Sequence, residues 1–254
     1  NPNDTSAADI TMKALRNLTG GGGVSPADSA AAIKAFMTAQ GGSGVCYQTL
    51  MTMVTKSKGT IRDTNTTWFT NSGEGRVEMR IPVPGVQTDK MIILGRIALP
   101  RYSMNLNGTA KTYSLNVIDT ALINNSGHEY TATKIGEETV AGYRCMHARL
   151  TGNSRLSRTS MDTWTSTAVP GYSLYKQLVN MSKITPGMLS ALDKAGCTGY
   201  LVKMTTGDKG YSMTMELLKA EVKSMPASLF RIPSGYQLSD EGMLGSLLSG
   251  ARTK

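Results

Sequence analysis

Apolar positions recur at two periods along this chain, and the change falls near residue 44. Before it the spacing is helical. Ala8, Met12, Leu15 and Leu18 lie three or four residues apart and stop at Gly20. After the glycine run 20–23, which lacks the Gly-Lys-Ser/Thr of a phosphate loop and reads as a linker, a second helix is expected. Ser25 suits its N-cap, Pro26 its first position and Asp28 its first turn. Ala30, Ile33 and Met37 share one face of it, and Gly41 and Gly42 end it.

Beyond Gly44 the period drops to two. Strands are expected over 47–55, through Trp68 and Phe69, and over 76–81, 91–99, 102–106 and 112–117. Lys56-Ser57-Lys58-Gly59, Asn71-Ser72-Gly73, Pro82-Val83-Pro84-Gly85, Pro100 and Asn107-Gly108 punctuate them, the last as a hairpin signal. The second half repeats the texture with strands over 129–137, 143–150 and 159–166 and a break at Val169-Pro170-Gly171. Two helices follow. One runs through Leu174, Tyr175, Leu178 and Val179; the other starts at Thr185-Pro186, turns Met188, Leu189 and Leu192 inward and ends at Gly196. Strands over 199–206 and 211–222 flank the turn 207–210, and the chain closes on Phe230-Arg231-Ile232-Pro233 and an apolar tail, 243–248.

Short strands joined by short turns imply an antiparallel meander, and no change of composition cuts the chain in two. The fold class is α+β in one domain. Residues 1–44 form its helical start, 45–236 its β-rich body and 237–254 its tail.

Residues two apart on a strand share a face. Met51 and Met53 therefore point together; so do Tyr211, Met213, Met215 and Leu217, and a third stripe holds Tyr200, Val202 and Met204. After Leu217 the stripe slips to Leu218, Ala220 and Val222, which predicts a β-bulge or sharp twist. Methionine fills irregular space and adapts to a ligand's shape. Two readings stay open: an ordinary core, or a deformable apolar pocket lined by Met51, Met53, Tyr200, Met204, Tyr211, Met213 and Met215.

Composition sharpens this picture. With 40% hydrophobic residues the chain can build a core; with 6% aromatics and 16 Met, that core is aliphatic and thioether. The net charge of +9 raises the prior for anionic partners, yet the basic residues are scattered and read first as a soluble basic surface. Cys46, Cys145 and Cys197 are too few for a disulfide scaffold and match no zinc spacing. One bridge plus one free thiol fits an oxidising compartment, with the pairing unreadable. No run of about 20 apolar residues would cross a membrane. The opening Asn-Pro-Asn-Asp-Thr-Ser reads like a mature chain left after a signal peptide, so export is expected.

Catalytic patterns fail for want of partners. His147 shares a strand face with Cys145, and His128 stands elsewhere; that is two metal ligands at most, and a thiol–imidazole pair would have to meet across strands. Asp162 reads as a surface or cross-strand partner, and no Gly-x-Ser-x-Gly elbow is present. Nucleic-acid binding would need exposed aromatics among basic residues, and the few aromatics here fall in apolar stripes. No enzyme, cofactor, metal or nucleic-acid role is expected.

Three segments carry a family resemblance. Val140-Ala141-Gly142-Tyr143-Arg144-Cys145-Met146-His147 resembles the VAGYxCxH segment of DUF4412, a bacterial family of exported proteins. Asp162-Thr163-Trp164 with Val169-Pro170-Gly171-Tyr172, and Ser224 through Tyr236 with its Pro226-Ala227-Ser228-Leu229-Phe230, resemble two further segments, so the match covers about 140–236. The resemblance implies a fold like that of the periplasmic lipoprotein carrier LolA: an open antiparallel β half-barrel with helices covering the concave face. It implies a periplasmic or outer-membrane-associated protein, and taken with the Met stripes it leads to the expectation of a binding protein that holds a lipid or a lipoprotein acyl chain in a Met-rich cavity. The alternative is a protein-interaction or sensor module with a packed core and no ligand. Fold does not fix function, so both stay in play.

Overall fold

The computed structural model describes residues 26–56, 59–80, 90–99, 102–117, 129–153, 158–182, 186–208 and 210–239. The helix expected over 8–18, the turn 82–85, His128 and the tail 243–248 lie outside them.

Helix α1 (Pro26–Met37) begins on the proline that the sequence places at its first position. The chain then turns at Gly41, whose φ is +66° and whose added Cβ would lie 2.5 Å from the carbonyl oxygen of Met225. Only glycine fits so close an approach in that conformation. The Glu74 carboxylate holds the turn, accepting the backbone N–H of Gln40 and of Gly41, each at 2.8 Å.

Six strands follow: β1 (Gly42–Thr55), β2 (Gly59–Thr70), β3 (Glu74–Met79), β4 (Met91–Arg96), β5 (Tyr102–Asn107) and β6 (Thr112–Val117). The second half holds β7 (Glu129–Val140), β8 (Tyr143–Asn153) and β9 (Arg158–Ser166), then helices α2 (Tyr172–Ser182) and α3 (Pro186–Lys194). It ends with β10 (Tyr200–Asp208), β11 (Tyr211–Met225), a 3-10 turn (Ala227–Phe230) and β12 (Gln237–Leu238). All twelve strands belong to one open sheet, ordered β12-β6-β5-β4-β3-β2-β1-β11-β10-β9-β8-β7, antiparallel except where β12 joins β6.

Two hairpins show the local chemistry. Ala141 and Gly142 link β7 to β8 with φ of +49° and +81°, the two left-handed residues that a two-residue turn of matching twist requires. At the β5–β6 hairpin, Asn107 pairs with Thr112 and its Oδ1 accepts the N–H of Thr109 and Ala110, so the asparagine caps a four-residue loop. The bulge expected after Leu217 is present: Gln48 pairs with Lys219 and Thr49 with Leu217, leaving Leu218 as the extra residue.

Strands β1 to β6 pair without a register shift, so faces can be followed across them. One row runs Cys46, Trp68, Arg76, Leu94, Met104, Leu115. Helix α1 covers the far end of this face, where Phe36 packs with Leu94, Met104, Leu106, Tyr113 and Ile232. Arg96 clamps it, donating to the carbonyls of Thr38 and Phe230 with its guanidinium 5.0 Å over the Phe36 ring. Helix α3 instead packs Ala191 and Leu192 on Ala148 and Leu150. By register those residues lie on the opposite face, so the helices do not gather on one side.

The three cysteines are buried and free, and no disulfide joins them.

Candidate functional site

The face opposite α1 collects the methionines. Alternation along β1 turns Met51 and Met53 away from the Cys46 row. Met51 stands opposite Met215 on β11; Met215 stands opposite Met204 on β10; Met204 leads on to Thr163 and Ala148. One step along, Met53 faces Met213, which faces Thr206, and the row continues through Met161 to Leu150. On the other side Met53 pairs with Ile61. Met79 and its partner Met91, on β3 and β4, point to the same face.

Met51, Met53, Met204, Met213 and Met215 are half-buried, and none belongs to the three core clusters of the described residues. Helix α3 covers only the β7–β8 end of this face, with Met161 at its margin. Tyr211 closes the outer row between Thr55 and Asp208. Tyr200 is buried in the core rather than half-buried. It is 7% exposed, stacked on Tyr47 at 4.3 Å and tilted against Tyr175 at 4.7 Å. Tyr47 shares the alternation of Met51 on β1, so Tyr200 belongs to the packed end of the face, where Leu174 of α2 joins the cluster; the register between β10 and β9 shifts between Leu201 and Lys203.

That tyrosine cluster is core. Burial pushes the Tyr175 phenol up to about 12 and raises Tyr47 and Tyr200 further. The Tyr47 hydroxyl donates to the Pro170 carbonyl at 2.9 Å. Beside the cluster, a shallow cleft of only about 10 Å³ lies between α2 and α3, lined by Tyr172, Tyr175, Leu189 and Leu192 among others. It is separate from the methionine rows.

Toward β5 and β6 the methionine-bearing face becomes polar. The side chains of Asn65, Asn105 and Asn116 each hold a buried amide atom with no hydrogen-bond partner: Oδ1 of Asn65 and Nδ2 of the other two. Sequence reasoning missed these residues, and also Met79, Met91 and Met161.

The other face of β7–β10 carries the histidine. His147 stacks on Trp164 at 4.3 Å, and its Nδ1 lies 3.1 Å from Glu138 Oε1. That oxygen also accepts from Trp164 Nε1 at 2.6 Å. Asp162 is held by Arg149, from Nε to Oδ1 at 3.0 Å and from Nη2 to Oδ2 at 3.2 Å, as the cross-strand partner expected. The Cys145 thiol donates to its neighbour Tyr143's carbonyl, and burial raises its pKa. Both carboxylates are engaged and the thiol is kept neutral, so these groups hold the strands together rather than forming a nucleophile and base. Among the described residues no cluster of His, Cys, Asp and Glu could hold a metal, and no helix is long and apolar enough to cross a membrane.

The model of a family described as a domain of unknown function, DUF4412, matches residues 47–236. No curated protein matches the chain. Among solved structures, the chain is similar to MucB in complex with MucA(peri), at 12% identity and a TM-score of 0.37 over 76% of this chain and 54% of that one. It is similar to the Pseudomonas aeruginosa MucA/MucB complex at 12% identity and a TM-score of 0.37, over 75% of this chain and 56% of that one. It is also similar to a LolA superfamily protein from Nitrosomonas europaea, at 8% identity and a TM-score of 0.31, over 82% and 98%. The chain thus spans little more than half the length of those MucB chains.

Proposed function

The chain belongs to the DUF4412 family, and from that premise we propose that it is an exported binding protein of the periplasm or outer membrane that lays a lipid or a lipoprotein acyl chain along its methionine face. One observation carries the reading. Five methionines on three adjacent strands form a continuous half-buried surface that belongs to no described core cluster. Core residues on the same strands, Tyr47 and Leu217, are by contrast 1% and 2% exposed. Each methylene moved from water onto such a surface contributes about 0.8 kcal/mol, so a long acyl chain gains enough to offset the cost of association. Flexible thioethers accept chains of different length, so selectivity for length is loose. The net charge of +9 favours anionic headgroups.

The test is direct. Protein purified without detergent is extracted into organic solvent for mass spectrometry, and fatty acids or phospholipids are added while melting is followed. A co-purifying lipid or a rise in Tm on addition supports the reading. Neither of them would remove it.

A further inference from the structure

The methionine face has a polar end, and its chemistry selects among ligands. On β5, Met104 packs under α1, so Asn105 beside it points to the opposite face. On β6, Leu115 packs under α1, so Ser114 and Asn116 point the same way as Asn105. Asn105 pairs with Ser114, which makes Asn116 its diagonal neighbour, with about 7–8 Å between Cα atoms. Two carboxamides at that spacing can reach one oxygen between them.

Both Nδ2 atoms are buried without a partner, and Asn105 is only 5% exposed. A buried donor left unpaired carries the full cost of its desolvation, so a pair of them on one face marks a place where an acceptor belongs. Next in the row from Asn116 come Ser103 and then Gly95, above which a Cβ would meet nothing within 4 Å. The floor beside the two amides is therefore open.

Resting on the reading of the methionine face as a lipid site, we propose that Asn105 and Asn116 form its head-group subsite. Their Nδ2 atoms donate to the carboxylate or carbonyl oxygen of an acyl ligand whose chain runs toward Met91, Met79 and the methionine rows. The ligand class is then acyl compounds with an acceptor head, as opposed to long-chain amines or bare hydrocarbons.

Displacement of the neutral probe N-phenyl-1-naphthylamine tests this in the full chain. Methyl dodecanoate is compared with dodecane, two neutral ligands to which the +9 charge is indifferent. Dodecanoate and dodecylamine form a second pair. The expected result is a preference of about tenfold for the ester over the hydrocarbon and for the acid over the amine. The ester preference falls below about twofold in Asn105→Leu and, at the less buried position, in Asn116→Ala, while probe affinity stays the same in both. An equal affinity for ester and hydrocarbon, or an ester preference that survives both substitutions, overturns the subsite and leaves the lipid reading intact. A wild-type protein that takes up no probe and no ligand overturns both.

Discussion

Met51 and Met215 stand directly opposite each other across β1 and β11, and Met204 meets Met215 from the far side on β10. Three methionines on three neighbouring strands thus make one strip, and Met53 beside Met213 doubles its width. A charge in the middle of that strip should stop an apolar ligand and leave the fold standing, since these side chains are half-buried and outside the core clusters. Met213→Asp combined with Met215→Asp is expected to weaken acyl-ligand affinity at least tenfold, with an unchanged far-ultraviolet circular dichroism spectrum. Leucine at both positions should keep binding within about threefold, because volume and polarity are nearly conserved.

The β7–β8 turn holds a strained residue. Ala141 has a φ of +49°, a conformation that costs an L-residue with a Cβ roughly 1–2 kcal/mol. Asparagine tolerates it, and Asn-Gly is the preferred pair for such a turn. Ala141→Asn is expected to stabilise the protein by about 0.5–1 kcal/mol in urea unfolding. An unchanged or lower midpoint would show that the turn carries no strain.

Glu74 anchors helix α1 to the sheet through two backbone N–H groups at 2.8 Å, while its own backbone N–H donates to Thr70 Oγ1 at 3.0 Å. Glu74→Ala leaves the buried Gly41 donor unpaired, at a cost of roughly 1–3 kcal/mol, and the part-buried Gln40 donor at a smaller one. A loss of about 3 kcal/mol is expected by urea unfolding, with Glu74→Gln losing about half as much because it keeps one acceptor.

Alkaline pH should strain the tyrosine cluster. Burial holds the Tyr175 proton up to about 12 against an ordinary value near 10, and Tyr47 and Tyr200 are raised as well. The unfolded chain loses these protons first. Their contribution to stability is therefore complete below about pH 10 and declines as pH rises from 10 toward 12. The unfolding midpoint should drop through that window, and less steeply in Tyr175→Phe, which removes one of the titrating groups. In the native protein, five of the ten tyrosines (these three with Tyr172 and Tyr211, which burial also raises) should ionise late when followed at 295 nm.

Much of the fold is legible in the sequence because β-alternation and turn residues are local signals. The slip from Leu217 to Leu218 in a stripe of alternating residues exposes the bulge, and the structure leaves Leu218 53% exposed next to a Leu217 that is 2% exposed. The family segments prove to be turns and closures. Ala141-Gly142 is a hairpin; Pro170 accepts the Tyr47 hydroxyl; Ile232 seals the core under α1, and the buried Phe230 gives its carbonyl to Arg96. Register was not legible, because it is set between strands distant in sequence. Met161 joins the methionine face only through Thr206, and Asn116 neighbours Asn105 only once β5 and β6 are paired. For the same reason the burial of Tyr200 was not legible: it stacks on Tyr47 of a distant strand and packs with Leu174 of α2 in one core cluster.

Peroxide footprinting of the methionines, read peptide by peptide with and without dodecanoate, tests the central claim most directly. A ligand lying on the face excludes oxidant from it. The account predicts that Met51, Met53, Met204, Met213 and Met215 are each protected at least fivefold, while Met37, 50% exposed on α1, oxidises at the same rate in both samples. Protection that is absent, or that extends equally to Met37, would contradict it.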